Sequence, residues 1–176
     1  PEAENMAREI SFAQGHYIMD IKANPLCKVF GLDRLKKKAL ITNVRAYGKK
    51  VLIELEDTTI IASSFGMDDA WALKRPSRTH VEFKLGQKPN PDKPFIIYKR
   101  SIFYVQKQRM GRIDYLRTQK EADAYFKKLG PSVLHEELSK EDWCNQLRWK
   151  DNHKICQVLL MQEVISGVGN YLRAEI

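Results

Sequence analysis

The sequence predicts an α+β protein with its strands first and its helices last, and three observations carry that reading. Short apolar runs at strand spacing, set between polar turns, fill most of the chain from Tyr17 to Gln106. Helical spacing takes over from about Thr118. Most glycines and prolines fall between these runs and punctuate them. The expected organisation is a β-rich first domain over residues 1–111, a linker over 112–130 and a helical domain over 131–176.

The elements follow in order. From Glu2 to Phe12, the apolar positions Met6, Ile10 and Phe12, with Ala3, Ala7 and Ala13 between them, suit a short amphipathic helix that Gln14-Gly15-His16 ends. Tyr17, Ile18, Met19 and Ile21 read as a strand stopping at Asn24-Pro25, and Leu32 to Lys38 accommodates one helical turn. Ala39 to Tyr47, Lys50 to Leu55 and Thr58 to Ser63 form a predicted β-meander, joined by Tyr47-Gly48 and Glu56-Asp57. Three later strands are expected at Thr79 to Leu85, Phe95 to Tyr98 and Ile102 to Gln106, with a polar loop from Gly86 to Pro94. Helical spacing then appears in Ala122/Tyr125/Phe126/Leu129, in Trp143/Leu147 after a break at Gly130-Pro131, and in Ile155/Val158/Leu159/Gln162/Val164.

Composition bounds the partners. With 43% hydrophobic residues in 176, the chain has enough apolar surface to fold. Thirty Lys and Arg against 22 Asp and Glu give a net charge of +8, which favours a polyanionic partner because each neutralised phosphate releases counterions. The charge is uneven: seven basic residues against Asp33 alone put +6 between Gly31 and Lys50. Cys27, Cys144 and Cys156 write neither a disulfide framework nor a zinc site, and neither a metal nor a cofactor is expected. With no apolar run of membrane-spanning length and no signal-peptide pattern, the expectation is a soluble intracellular protein, cytoplasmic, nucleoid or nuclear, without a membrane partner.

Five stretches carry candidate chemistry. Pro1, if its amine is free, is a secondary amine whose pKa of roughly 7.7 to 8.0 leaves it partly neutral and nucleophilic near pH 7. Attack on an aldehydic carbon would give an iminium ion, and the adjacent Glu2 is placed to move the protons this needs. Lys49 lies at the tip of the predicted hairpin, where it can reach a ligand. Met67, after Ser64-Phe65-Gly66, and Gln108-Arg109-Met110-Gly111 place an apolar or long side chain on loops that could enter a base stack. Finally, Ser166-Gly167-Val168-Gly169-Asn170 reads as a glycine turn opening a helix, with backbone N–H groups and the Asn170 amide able to hold an anion.

Together these stretches resemble the formamidopyrimidine-DNA glycosylase/endonuclease VIII family of base-excision repair enzymes. Pro1-Glu2 open the chain as in that family, and Tyr47-Gly48-Lys49 with Val51 to Leu55 looks like its lysine-bearing hairpin. Phe65-Gly66-Met67 is similar to its Leu-Gly-Met loop, Gln108 to Gly111 to its Arg-Arg-Phe-Gly element, and Gln162 to Glu175 to its helix–two-turn–helix signature. The resemblance implies a β-sandwich first domain preceded by a short catalytic helix, then a helix–two-turn–helix domain that is incomplete at Ile176, before the family's terminal finger. It also implies a monomeric, bifunctional glycosylase and abasic-site lyase acting on damaged DNA. Pro1 would be the nucleophile and Glu2 the proton shuttle, with Lys49 as a third catalytic residue that also holds phosphate together with Gly169 and Asn170. Met67, Gln108, Arg109 and Met110 would occupy the space left by an extruded base or contact the opposite strand.

The chain departs from that pattern in places. Ala3-Glu4-Asn5 stands where the family has Gly-Pro-Glu, so a second carboxylate becomes Asn5, and Gln108 and Met110 stand where Arg and Phe are common. Without the finger, this span is expected to bind weakly and turn over poorly. The competing reading is a non-catalytic helix–two-turn–helix protein binding DNA or RNA, which needs no free Pro1.

Overall fold

A computed structural model describes residues 2–24, 29–30, 38–66, 68–77, 79–87, 98–106, 111–150 and 152–175. The first helix, α1 (Glu2–Ile10), turns inward its small residues Ala3 and Ala7 together with Ile10, and a single 3-10 turn, Ser11–Ala13, ends it. Small side chains on the inner face let the helix backbone lie close to the sheet, so α1 packs directly on the strands that carry the hairpin.

Among the described residues nine strands follow: β1 (Tyr17–Ala23), β2 (Val29–Phe30), β3 (Ala39–Tyr47), β4 (Lys50–Leu55), β5 (Ile60–Ser64), β6 (Ala70–Ala72), β7 (Thr79–Gly86), β8 (Tyr98–Val105) and β9 (Arg112–Leu116). They hydrogen-bond in the order β2-β9-β5-β4-β3-β1-β7-β8-β6, antiparallel except for the parallel pair β2 and β9. Strand β3 is the corner. Its first two residues pair with β1 and the stretch from Ile41 to Tyr47 pairs with β4, so the sheet folds back on itself there. Ile18, Phe83 and Ile102 from one half and Ile53, Ile61 and Ile113 from the other share one buried cluster with Ala3, Ala7 and Ile10. The architecture is therefore α+β, with a β-sandwich whose interior also receives α1.

Polar ties stitch the halves together. Buried Trp71 donates from Nε1 to Ser63 Oγ at 2.9 Å, Ser63 Oγ donates to the Val51 carbonyl at 2.9 Å, and Tyr104 Oη donates to the Ser64 carbonyl at 2.6 Å. Each satisfies a group whose isolated burial would be costly, so three polar side chains enter the core without an orphan.

Two expectations about the strands need correction, and the short strand β6 was not foreseen. Residues 112–116 do not belong to a linker: they form β9, paired with β5 along its whole length. Its strand pattern is hidden because Asp114, which is buried, is neutralised by Arg112 two residues earlier, so a charged pair interrupts what would otherwise read as an apolar run. Strand β8 runs on through Lys99-Arg100-Ser101, where two strands were expected, because Arg100 and Ser101 pair with Leu85 and Lys84 of β7 while Lys99 falls at a register shift between Leu85 and Gly86. Strand β6 has only three residues and too little length for an alternation to show. Phe95 to Ile97 and the Leu32 to Lys37 turn lie outside the described residues.

Helix α2 (Gln119–Phe126) starts at Thr118, whose Oγ1 accepts from the Glu121 N–H at 3.1 Å. It lays Ala122, with Tyr125 and Phe126, on Leu52, Ala62 and Leu116 on the outer face of the sandwich. Helix α3 (Lys140–Leu147) is capped in the same way by Ser139. Helix α4 (Ile155–Val158) is shorter than the apolar spacing suggests: turns replace it after Val158, and Gln162 serves those turns instead of extending the helix. Helix α5 (Asn170–Glu175) closes the described chain. Leu159, Ile165 and Val168, with Val133, Leu138 and Trp143, make a separate small core for this part. Among the described residues, no helix is long and apolar enough to cross a membrane.

Candidate functional site

The site is assembled where the β3–β4 hairpin meets the turn before α5. Tyr47 and Lys50 pair across the hairpin, leaving Gly48-Lys49 as a two-residue turn. Gly48 has φ +57°, the left-handed value that the first position of such a turn requires and glycine adopts at no steric cost. It is also pressed against Ser166, leaving no room for a Cβ. The hairpin tip is thereby seated on the 166–169 turn, and Lys49 extends over it. A Cβ placed on Gly169 would lie 3.3 Å from Lys49 Nζ, so the missing side chain at Gly169 is what lets the ammonium come down on that backbone.

The 166–169 turn is itself braced. Gln162 Oε1 accepts from the Gly167 N–H at 3.0 Å and Gln162 Nε2 donates to the Val168 carbonyl at 2.9 Å, so one amide spans the turn. Ser166 donates from its backbone N–H to the Pro131 carbonyl at 2.9 Å and accepts from Val133 N–H at 3.2 Å, tying the turn to residues 131–133. A Cβ on Gly130 would run into the backbone of Val164, so the chain segments touch there as well.

Glu2 lies on the exposed first turn of α1. Partial burial lowers the Lys49 pKa below the ordinary lysine value, and the Glu2 carboxylate opposes that shift, so the two side chains feel one another. Helix α1 is tied to the helical part as well: Glu4 Oε2 stands 3.6 Å from His135 Nε2, and Ser132 Oγ is 3.0 Å from His135 Nδ1.

The structure thus seats Lys49 on Gly169 within the field of the Glu2 carboxylate, with Asn170 next in the chain at the exposed start of α5. Pro1, Met67, Gln108, Arg109 and Met110 lie outside the described residues. The roots of the two loops are nonetheless adjacent. Asp69 Oδ2 accepts from the Gly66 N–H at 2.7 Å, and Gly111 packs so closely against Asp69, Tyr104 and the Ser64 carbonyl that no Cβ would fit.

The basic patch is less available than its count suggests. Arg45 is paired with Glu54 at 2.6 Å, and Lys50 turns inward, its ammonium 5.2 Å from the centre of the Tyr125 ring and its pKa lowered by burial. Lys49 presents its charge at the hairpin tip.

Sequence reasoning missed Glu136. Tyr47 Oη donates to Glu136 Oε1 at 2.8 Å, linking the hairpin to the helical part across 89 positions, and the same oxygen accepts from the Ser132 N–H at 3.3 Å. Nothing in the local pattern around Glu136 signals this role, because its partner is so remote in sequence. Burial, with the hydrogen bond to Glu136 next, pushes the Tyr47 phenol up to about 12. A phenol held protonated in the folded state stabilises it below the unfolded pKa near 10 and ceases to as pH rises towards 12. Urea melts should therefore show stability falling between pH 10 and 12. Tyr47→Phe should remove about 1 kcal/mol of that fall, allowing for screening at this partly exposed site.

No protein-family model matches the chain. In sequence it is 24% identical over 187 aligned residues to the formamidopyrimidine-DNA glycosylase of Lactococcus lactis subsp. cremoris, an alignment covering 100% of this chain and 64% of that protein. In structure, 97% of the chain superposes on the Lactococcus lactis formamidopyrimidine-DNA glycosylase solved non-covalently bound to DNA containing an abasic site, with a TM-score of 0.77 and 23% identity, covering 65% of it. The chain resembles these glycosylases in sequence and shares their fold. The Thermus thermophilus glycosylase agrees, with a TM-score of 0.76 and 21% identity over 97% of this chain and 59% of that one. A Lactococcus lactis glycosylase complex with tetrahydrofuran-containing DNA and an inhibitor reaches a TM-score of 0.80 at 24% identity, over 98% and 64% of the two chains. The chain thus spans under two thirds of the length of the glycosylases it matches.

Proposed function

We propose that the chain acts on damaged DNA as a bifunctional glycosylase and abasic-site lyase for oxidised bases. The observation that carries this reading is the seating of the Lys49 ammonium on the Gly169 backbone, within the field of the Glu2 carboxylate, in the fold of the formamidopyrimidine-DNA glycosylases.

The chemistry assigned to it is as follows. The neutral amine of Pro1 attacks C1′ of a nucleotide turned out of the duplex, forming a C–N bond as the base leaves with a proton. Opening of the sugar ring gives an iminium ion on that nitrogen, and loss of a proton from C2′ expels the 3′ phosphate. A second elimination expels the 5′ phosphate, and water hydrolyses the iminium to free the amine. Glu2 carries the protons at the sugar, passing between acid and base. Lys49, the Gly169 N–H and the Asn170 amide hold the flanking phosphates. Met67, Gln108, Arg109 and Met110 fill the vacated stack or touch the opposite strand.

Borohydride decides this reading. With an abasic duplex, reduction should trap a covalent protein–DNA adduct that vanishes when a residue precedes Pro1 and takes its nitrogen into an amide. Salt-sensitive duplex binding with no adduct would overturn the enzyme and leave a non-catalytic nucleic-acid-binding protein. No binding at low salt would overturn both.

A further inference from the structure

We propose that Tyr47 and Glu136 form a positioning pair for Lys49: their hydrogen bond holds the β3–β4 turn on the 166–169 turn so that Lys49 and Gly169 can share one phosphate. The inference rests on the proposed reading of Lys49 as a phosphate contact and adds how that contact is set.

Three observations support it. Tyr47 is the residue before the Gly48-Lys49 turn, so a tether on its side chain holds the end of the strand that carries the turn. Its ring is fixed on a second side, edge-on to Phe126 of α2 with centroids 5.7 Å apart, so the phenol meets Glu136 from a braced position. Glu136 is fixed in turn, since the same carboxylate oxygen accepts from the Ser132 N–H, and the 131–133 backbone is bonded to Ser166. A closed circuit runs from Tyr47 through Glu136 and Ser132 to Ser166, and returns through the contact of Ser166 with Gly48. Gly48 alone would leave Lys49 on a swinging hairpin; the circuit fixes its height above Gly169.

The charge of Glu136 makes the test sharp. Removing a carboxylate from a chain with a net charge of +8 should by charge alone strengthen binding to a polyanion. Positioning predicts the reverse. The probe is a duplex with a central tetrahydrofuran abasic analogue, titrated at low salt with the full chain. Tyr47→Phe and Glu136→Ala should each weaken binding about five-fold, the effect of losing one hydrogen bond. Glu136→Gln, whose carbonyl still accepts from the phenol, should stay within about two-fold of the parent. In a Lys49→Ala background, Tyr47→Phe should have no further effect, because the pair acts through Lys49.

The outcomes separate cleanly. If Lys49→Ala leaves affinity unchanged, the reading of Lys49 fails and the inference with it. If Lys49→Ala weakens binding but Tyr47→Phe and Glu136→Ala do not, or if Tyr47→Phe weakens it equally without Lys49, the inference alone is overturned. Glu136 is exposed, so Glu136→Ala gives a second, independent variant should Tyr47→Phe fold poorly.

Discussion

Glu2→Gln is expected to lower strand cleavage at saturating abasic duplex by about 10²–10⁴-fold, the range a positioned general acid–base contributes. The side chain keeps its size and its place on the first turn of α1, whose buried face is formed by Ala3, Ala7 and Ile10, so the fold should not register the change. What is lost is a group that can both give and take a proton beside the sugar. Charge works in the other direction for affinity: the net charge would rise from +8 to +9, so duplex binding near pH 7 should hold or strengthen while turnover collapses. A second signature follows from Lys49. The Glu2 carboxylate favours the protonated Lys49, so its removal lets the lowered lysine pKa drop further. The protonated form is the one a phosphate selects, so affinity is present below that pKa and lost as pH rises through it. In Glu2→Gln the alkaline loss of affinity should therefore begin at lower pH. Single-turnover cleavage and a pH series of binding isotherms check both. Cleavage within three-fold of the parent would remove Glu2 from the chemistry.

The two halves of this site differ in how far the sequence disclosed them. Lys49 stands in a hairpin whose strands are apolar runs of strand length and whose turn carries glycine where a left-handed residue is required, so both the element and the residue at its tip were legible. The start of α5 at Asn170 was legible for a similar reason, since glycines precede it and the helical spacing resumes there. Strand β9 was not, because a buried Asp114 neutralised by Arg112 reads as polar punctuation until the partner is seen in space. The shortness of α4 escaped too: Gln162 sits at an apolar-spaced position yet commits both ends of its amide to the 167–168 backbone, a use that spacing cannot reveal. Glu136 and His135 belong to the same class. Their partners, Tyr47 and Glu4, are remote in sequence, and no local period encodes a hydrogen bond between distant segments. What patterning conveys is each element and its exposed tip; how two elements are bolted together is a property of the assembled packing.

That bolt should break most visibly at Gly48. An alanine there would have to hold φ +57°, which costs an L-residue roughly 1–2 kcal/mol, and its methyl would strike Ser166, adding roughly 1–3 kcal/mol of overpacking, so Gly48→Ala should destabilise the fold by about 3 kcal/mol. The two costs can be pulled apart. Among the described residues Ser166 Oγ is buried without a hydrogen-bond partner, so Ser166→Gly sacrifices no bond seen there and removes both side-chain atoms that the methyl would meet. The nearest remaining atom would be the Gly167 nitrogen, 3.3 Å from the new Cβ. In the Gly48→Ala, Ser166→Gly double variant the collision is relieved while the backbone conformation stays costly. Urea denaturation should then recover the packing share and leave a deficit of roughly 1–2 kcal/mol, a coupling the two single variants do not show when added. Because the same collision lifts the turn off the 166–169 backbone, abasic-duplex affinity should fall in the single variant and return in the double one. A Gly48→Ala chain less than about 1 kcal/mol weaker than its parent, or one that Ser166→Gly fails to rescue, would mean the hairpin tip is free to slide over Ser166 and Lys49 is not held there.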